Sequence, residues 1–268
     1  MPQKPLNIVT EPYAEDENAR VGLTDLKEVE FADDHVFVRR GRIFRIASFC
    51  FLVLLIFALR LFVYKLYYGI RIKDKKNLKA IKKSGAVICI NHVFPLDVPM
   101  LVAALGIFRM SYILVAAQSF GIPVVRTIIK LGRCVPVSSK YKSLSKMQNE
   151  IIDMLKAGGR VIIPPEANEW AYYHKVRKFR RGAFFFANKA SVPVLPAVFG
   201  YRRQRGIWFW KKRPCFDLQF LPVISCYDDG GNLKSSHDLM EETHKAMSEA
   251  FDKMLMKQGY VRAVQDQS

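Results

Sequence analysis

Ala86-Val87-Ile88-Cys89-Ile90-Asn91-His92-Val93-Phe94-Pro95-Leu96-Asp97 decides how this chain is read. Its first five residues are apolar without alternation, the pattern of a buried strand. Pro95 disfavours helical geometry at Phe94, so the strand gives way to a loop that can fold His92 back toward Asp97. His92 then stands where a strand of an α/β sheet ends, and ligands bind beyond such ends. A carboxylate on one imidazole nitrogen fixes the tautomer and leaves the other nitrogen as a general base. A plainer reading makes Asp97 the cap of a helix starting at Val98 and His92 an ordinary loop residue. For an isolated pair the plainer reading is favoured; its surroundings reverse the balance.

Around this stretch, from residue 69 onward, strand-like and helix-like segments alternate, which predicts an α/β fold with a mixed, largely parallel sheet flanked by helices. Strands are expected at 86–90, 111–116, 133–137, 160–164, 193–199 and 216–221. Helices are expected at 97–106, 142–157, 182–190 and 236–257. The last repeats Met240, Met247, Phe251, Met254 and Leu255 at helical spacing, a face for packing on the sheet. At 268 residues the chain has ample length for such a core.

Upstream, the composition changes twice. Residues 1–38 carry nine acidic and three basic side chains, and read as a flexible leader in which Phe31, Val36 and Phe37 can dock locally. With the whole chain at +18, the remainder carries +24, which suits an anionic partner: nucleic acid, a membrane surface or a phosphorylated substrate. Ile46 to Leu59 is an uncharged run of Phe, Leu, Ile and Val that Leu61-Phe62-Val63-Tyr64 extends past Arg60. It begins too late for a signal peptide and lacks a small-residue cleavage site. Residues 39–68 are therefore expected to form a membrane-associated helix, with attachment through 44–68 and the α/β domain filling 69–268. The helix spans a bilayer if Arg60 snorkels or faces protein, since a span needs roughly 20 mostly apolar residues. It lies in one leaflet if Tyr64, Tyr67 and Tyr68 sit at the headgroups. A core helix of a soluble protein is the third possibility. Basic residues flank it on both sides, which leaves its orientation open.

Five scattered cysteines, with no CxxC or Cys/His spacing, support neither a disulfide framework nor a metal site. The stretch Tyr201 to Arg213 interleaves cations with Trp208, Phe209 and Trp210. It fits a hairpin resting on lipid headgroups. Stacking on single-stranded nucleic acid is the weaker reading, since no nucleic-acid module accompanies it.

A second site signal follows the first. Val161-Ile162-Ile163-Pro164-Pro165-Glu166 is another apolar strand running into a loop with a carboxylate, followed by Arg181-Gly182-Ala183 and by Val192-Pro193 with Pro196. In that order, with Asn91, His92 and Asp97, the chain resembles the glycerolipid acyltransferase family, best known through 1-acylglycerol-3-phosphate acyltransferase. The resemblance spans residues 45 to about 222, and the apolar N-terminal helix agrees with it. It implies a membrane-bound O-acyltransferase of phospholipid biosynthesis. A fatty acyl group would move from a thioester, acyl-CoA or acyl-carrier protein, to a hydroxyl of a lysophospholipid. His92 would be the general base and Asp97 its orienter, with no bound cofactor and no metal. Glu166 would shape the acceptor pocket.

Two departures concern the acceptor. The family's Glu-Gly-Thr-Arg is here Glu166-Ala167-Asn168-Glu169, so a carboxylate stands where an arginine would hold phosphate. The preceding family motif is Gly132-Arg133-Cys134-Val135-Pro136-Val137-Ser138-Ser139-Lys140, in which only Arg133 or Lys140 can supply the cation. The expected substrate-binding set is Glu166, Asn168, Glu169, Arg133, Lys140, Arg177 and Arg181. Arg177 and Arg181 belong to a basic cluster suited to phosphate, or else to a solvated face. A glycolipid or aminolipid acceptor without phosphate, and a non-catalytic lipid-binding role, are the alternatives. Membrane lipids and the acyl donor are the expected partners, and nucleic acid is not.

Overall fold

The computed structural model of the chain describes residues 6–14, 29–106, 111–121 and 123–260. In chain order the elements are α1 (Arg42–Ala58), continued by π-helical turns over Leu59–Tyr67, then β1 (Arg71–Lys73) and β2 (Ala86–Ile90). There follow α2 (Asp97–Leu105), β3 (Tyr112–Ala116), α3 (Pro123–Leu131), β4 (Cys134–Val137), α4 (Tyr141–Lys156) and β5 (Arg160–Ile163). The chain closes with α5 (Gly182–Ala190), β6 (Val194–Arg202), β7 (Cys215–Phe220) and α6 (Ser236–Met256). All six expected strands and all four expected helices of the α/β region are present. The edge strand β1 and helix α3 were not foreseen.

The strands form one sheet in the order β1-β7-β6-β2-β5-β3-β4. From β6 to β4 all neighbours run parallel, β7 returns antiparallel along β6, and β1 lies parallel to β7. Every residue of β2 is buried, because helices cover both faces of a central parallel strand. The core face of α6 is Leu239, Thr243, Met247, Phe251, Met254 and Leu255, at helical spacing, while Met240 is only partly buried. Ser235 and Asp238 close a capping box at its start. Gly200 lets α6 approach β6, since a Cβ there would lie 2.3 Å from the Met254 sulfur.

The apolar helix lies along the body. Ser48 donates to the Leu131 carbonyl at 2.8 Å, and Arg60 Nε to the Ala103 carbonyl at 2.8 Å. Leu52, Ile56 and Tyr64 are buried against the domain, whereas Ile43, Ile46, Phe49, Leu54, Phe57, Leu61 and Phe62 are exposed. Two of the three tyrosines expected at the headgroup level are elsewhere. Tyr64 and Tyr68 belong to the core, and Tyr68 packs on the ring of Phe94 at 4.8 Å. Only Tyr67 is exposed.

Parts of the acidic leader are docked rather than free. Phe31, Phe37 and Val38 are buried, while Val36 is exposed. The Glu150 carboxylate accepts from the amides of Phe37 at 2.9 Å and Val38 at 2.7 Å. The remainder of the leader, residues 1–5 and 15–28, lies outside the described residues.

Candidate active site

The parallel run of strands brings the loops after β2 and β5 side by side at one edge of the sheet, because β2 and β5 are direct neighbours. Asn91 closes the end of β2: its side chain donates to the Phe199 carbonyl at 3.0 Å and accepts from the Phe199 amide at 2.8 Å. The next residue, His92, is thereby held at the strand end. Its Nδ1 lies 2.8 Å from Asp97 Oδ2, and Asp97 is fully buried at the first turn of α2. The same carboxylate accepts from the amides of Val93 at 2.9 Å and Val98 at 2.6 Å. Asp97 is the first residue of α2, whose N-cap is Leu96 without a side-chain cap, so of the two readings the structure bears out the one in which Asp97 orients the imidazole.

With Nδ1 engaged as donor, the Nε2 lone pair is the nitrogen left for proton transfer. The imidazole keeps 21 % of its surface accessible. Burial pushes its pKa down, but the charge and hydrogen bond of Asp97, with Glu169 and Glu166 behind, outweigh that, and the net displacement is upward. Such a site suits a base that takes a proton from a hydroxyl and is stabilised once charged.

Loop 164–181 is laced onto the His92 loop by main-chain hydrogen bonds, Trp170 amide to His92 carbonyl at 3.2 Å and Tyr172 amide to Val93 carbonyl at 2.7 Å. Glu166 is buried, and Arg177 Nη2 sits 3.1 Å from it. Arg177 also donates to the Asn168 carbonyl, and its guanidinium lies over the Trp170 ring at 4.7 Å. Desolvation nevertheless raises Glu166 to about 7 against the opposing charges of Arg177 and His92. Glu169 is also raised to about 7, by burial first and by Asp97, with His92 opposing. The turn at Ala167 has φ of +66°, the left-handed conformation that glycine adopts more readily.

Of the expected substrate-binding residues, Glu166, Asn168, Glu169 and Arg177 converge on this edge. Arg177, however, is buried and engaged by Glu166, so it shapes the loop rather than offering an open cation. Arg133 is at the opposite end of the strands, because it immediately precedes β4, which runs parallel to β2. There it donates to Ser48 at 2.9 Å and lies over the Tyr112 ring. Lys140 follows β4 on the His92 edge but pairs with Glu30 at 2.7 Å, beyond both β5 and β3. Arg181 is exposed at the start of α5; the adjacent Arg180 amide donates to the Pro165 carbonyl at 2.8 Å, which places it beside the end of β5. Among the described residues, no three His, Cys, Asp or Glu side chains gather as metal ligands.

Tyr13 and Trp170, which belong to none of the sequence motifs, meet here. Residues 6–14 run along the outer side of loop 170–174: the Val9 amide donates to the Tyr172 carbonyl at 2.8 Å and the Tyr13 hydroxyl to the Ala171 carbonyl at 2.7 Å. Tyr13 meets Trp170 edge-on at 5.9 Å. The excess of Tyr and Trp around the second motif was the only signal available for this contact.

Comparison with known proteins agrees with the geometry. The family described as Acyltransferase matches residues 69–200, a stretch that holds both loops. No curated protein matches the chain significantly. Among solved structures, the chain is similar to the crystal structure of the 1-acyl-sn-glycerophosphate (LPA) acyltransferase, PlsC, from Thermotoga maritima. The TM-score is 0.57 at 20% sequence identity, covering 81% of this chain and 85% of that one.

Proposed function

We propose that this chain, whose residues 69–200 match the family described as Acyltransferase, moves a fatty acyl group from a thioester to a hydroxyl of a lysophospholipid resembling 1-acylglycerol-3-phosphate. The observation that carries this reading is the 2.8 Å contact between His92 and a fully buried Asp97 at a strand end. His92 Nε2 takes the acceptor's hydroxyl proton as its oxygen attacks the thioester carbonyl carbon. The tetrahedral intermediate collapses with cleavage of the C–S bond, and the imidazolium returns the proton to the departing thiolate. Asp97 holds the ring and balances its transient charge. The thioester is an activated donor, supplied as acyl-CoA or acyl-carrier protein, and these residues need only position it and move one proton.

The helix Arg42–Tyr67 is long and apolar enough to cross a membrane, but its contacts favour attachment to one leaflet. A spanning helix must stand clear of the domain over roughly 20 residues, whereas this one is tied to it at Ser48 and Arg60. Its exposed apolar side faces away from the domain, as in an in-plane anchor.

A second acceptor reading has an observation of its own. Arg177 is committed to Glu166, and Glu169 stands near enough to His92 to feel its charge. A phosphate-free glycolipid or aminolipid would meet less repulsion there. Initial rates with lysophosphatidic acid and with an amine-bearing lysolipid, in wild type and in Glu169→Arg, separate the two. For the phosphate acceptor, Glu169→Arg is expected to raise its relative rate. If Glu169→Arg lowers a preference that wild type already has for the phosphate acceptor, Glu169 does not face the acceptor.

A further inference from the structure

The β6–β7 connection is built as an exposed apolar tip within a cationic frame. β6 runs five residues past Ala197, the partner of Ile90, so it reaches roughly 16 Å beyond the end of β2 at about 3.3 Å per residue. The turn that follows therefore stands proud of the His92 edge. At its tip Ile207, Phe209 and Trp210 are 61%, 71% and 59% exposed. Arg205, Lys212 and Arg213 surround them, all exposed. In the sequence, no Asp or Glu occurs between Glu169 and Asp217.

The tip is also fixed in place. Trp208 Nε1 donates to the Leu66 carbonyl at 2.9 Å, joining the turn to the end of the apolar helix. Lys211 is buried with its ammonium over the rings of Tyr67 and Tyr68 at 5.2 and 5.5 Å. The exposed Leu66 and Tyr67 at the end of the apolar helix thus adjoin the turn that exposes Ile207, Phe209 and Trp210. On its other side the turn borders the site loop, with the Arg213 guanidinium over the Tyr172 ring at 4.7 Å. Aromatic side chains beside Lys and Arg are the composition that seats protein at a lipid–water boundary.

We propose that the tip Arg205–Arg213 is a second membrane-contacting element, which dips Phe209 and Trp210 into an anionic bilayer and so seats the mouth of the His92 site on it. This rests on the membrane-bound reading of the helix. It assigns the α/β domain a lipid contact of its own and fixes which edge of the sheet faces the bilayer.

The test uses the full chain with vesicles of phosphatidylglycerol and phosphatidylcholine, the latter carrying brominated acyl chains that quench nearby tryptophan. Wild type should float with the vesicles and be quenched, and Trp210→Phe should lose much of that quenching. The variant Phe209→Ser/Trp210→Ser should lower the ratio of rates on vesicle-embedded and dispersed short-chain acceptors about tenfold, with unchanged circular dichroism; salt should weaken binding. If wild type floats but Trp210→Phe is quenched equally and the rate ratio is unmoved, the proposal is wrong and the helix alone holds the membrane. Equal binding to pure phosphatidylcholine removes the anionic requirement and also overturns it. Failure of wild type to float sinks the membrane-bound reading together with the proposal.

Discussion

The pair His92–Asp97 sets how the rate should respond to both mutation and pH. His92→Ala is expected to lower acyl transfer by roughly 10²–10⁴-fold, the usual contribution of a positioned general base, while folding and membrane association persist. Retention of more than about a tenth of the wild-type rate would be incompatible with that role. The base must be neutral to act, and its pKa lies above 6.5 because Asp97 outweighs the effect of burial. kcat/KM should therefore rise with pH through an inflection above 6.5, and Asp97→Asn should move the inflection down and lower the plateau. An unmoved inflection in Asp97→Asn would assign it to another group. Stability runs the opposite way. The His92–Asp97 contribution is complete below the unfolded value of 6.5 and is lost as pH rises through the folded one. Glu166 and Glu169, raised to about 7 from 4.5, likewise weaken the fold as they ionise across that interval. A separate strain sits at Ala167, with φ of +66° where the resembling family has glycine. Left-handed backbone costs an L-residue roughly 1–2 kcal/mol, partly offset by the unfolded-state entropy glycine would add. Ala167→Gly should stabilise the fold by up to about 1 kcal/mol, read as a higher Tm; a lower Tm would mean that the methyl group packs usefully.

Among the elements, the segment 6–14 has the least obvious consequence. It holds the outer side of loop 170–174 through Val9 and Tyr13, and the inner side of that loop bonds His92 and Val93. Each main-chain hydrogen bond of this kind contributes about 1 kcal/mol. Deleting residues 1–14 is expected to lower activity several-fold and Tm by a few degrees, and Tyr13→Phe to reproduce part of it. A truncated protein with the wild-type rate would make the strap incidental to catalysis. Docking of Phe31 and Phe37 was expected from their apolar side chains, but nothing in residues 6–14 foretold the strap, because the leader's acidic, aperiodic composition is that of a disordered tail and the segment owes its order to loop 170–174, distant in sequence. The strands were legible for the opposite reason: Ala86–Ile90 and Val161–Ile163 are apolar runs bounded by proline loops, and burial on both faces demands that pattern. The three-residue β1 has too little sequence to carry a pattern. His92 and Asp97 were legible because they belong to one short loop. The fate of Arg177 was not, since its pairing with Glu166, eleven positions earlier, depends on how the loop between them closes. Arg133 was misplaced because spacing does not say which end of a strand faces the site.

Across the whole molecule, the apolar helix joins the core on one side and leaves large apolar side chains exposed on the other. Leu52, Ile56 and Tyr64 are buried in the domain, as are Phe31, Phe37 and Val38 just upstream. Burying one such side chain stabilises a fold by roughly 1.5–3 kcal/mol, so the six together contribute about 10 kcal/mol. That is comparable to the whole stability of a typical domain, about 5–15 kcal/mol. Deleting residues 1–66 should therefore do more than release the protein from a membrane. It leaves the faces of α2 and α3 that receive the helix uncovered, and should abolish cooperative unfolding even in detergent. Replacing only exposed positions, as in Leu54→Ser/Phe57→Ser/Phe62→Ser, should instead keep Tm within a few degrees while reducing flotation with vesicles. The truncation and the triple variant are compared by thermal unfolding in detergent and by vesicle flotation. A truncation that melts cooperatively near the wild-type Tm would show that the helix is a detachable anchor, with its buried face contributing little to the fold.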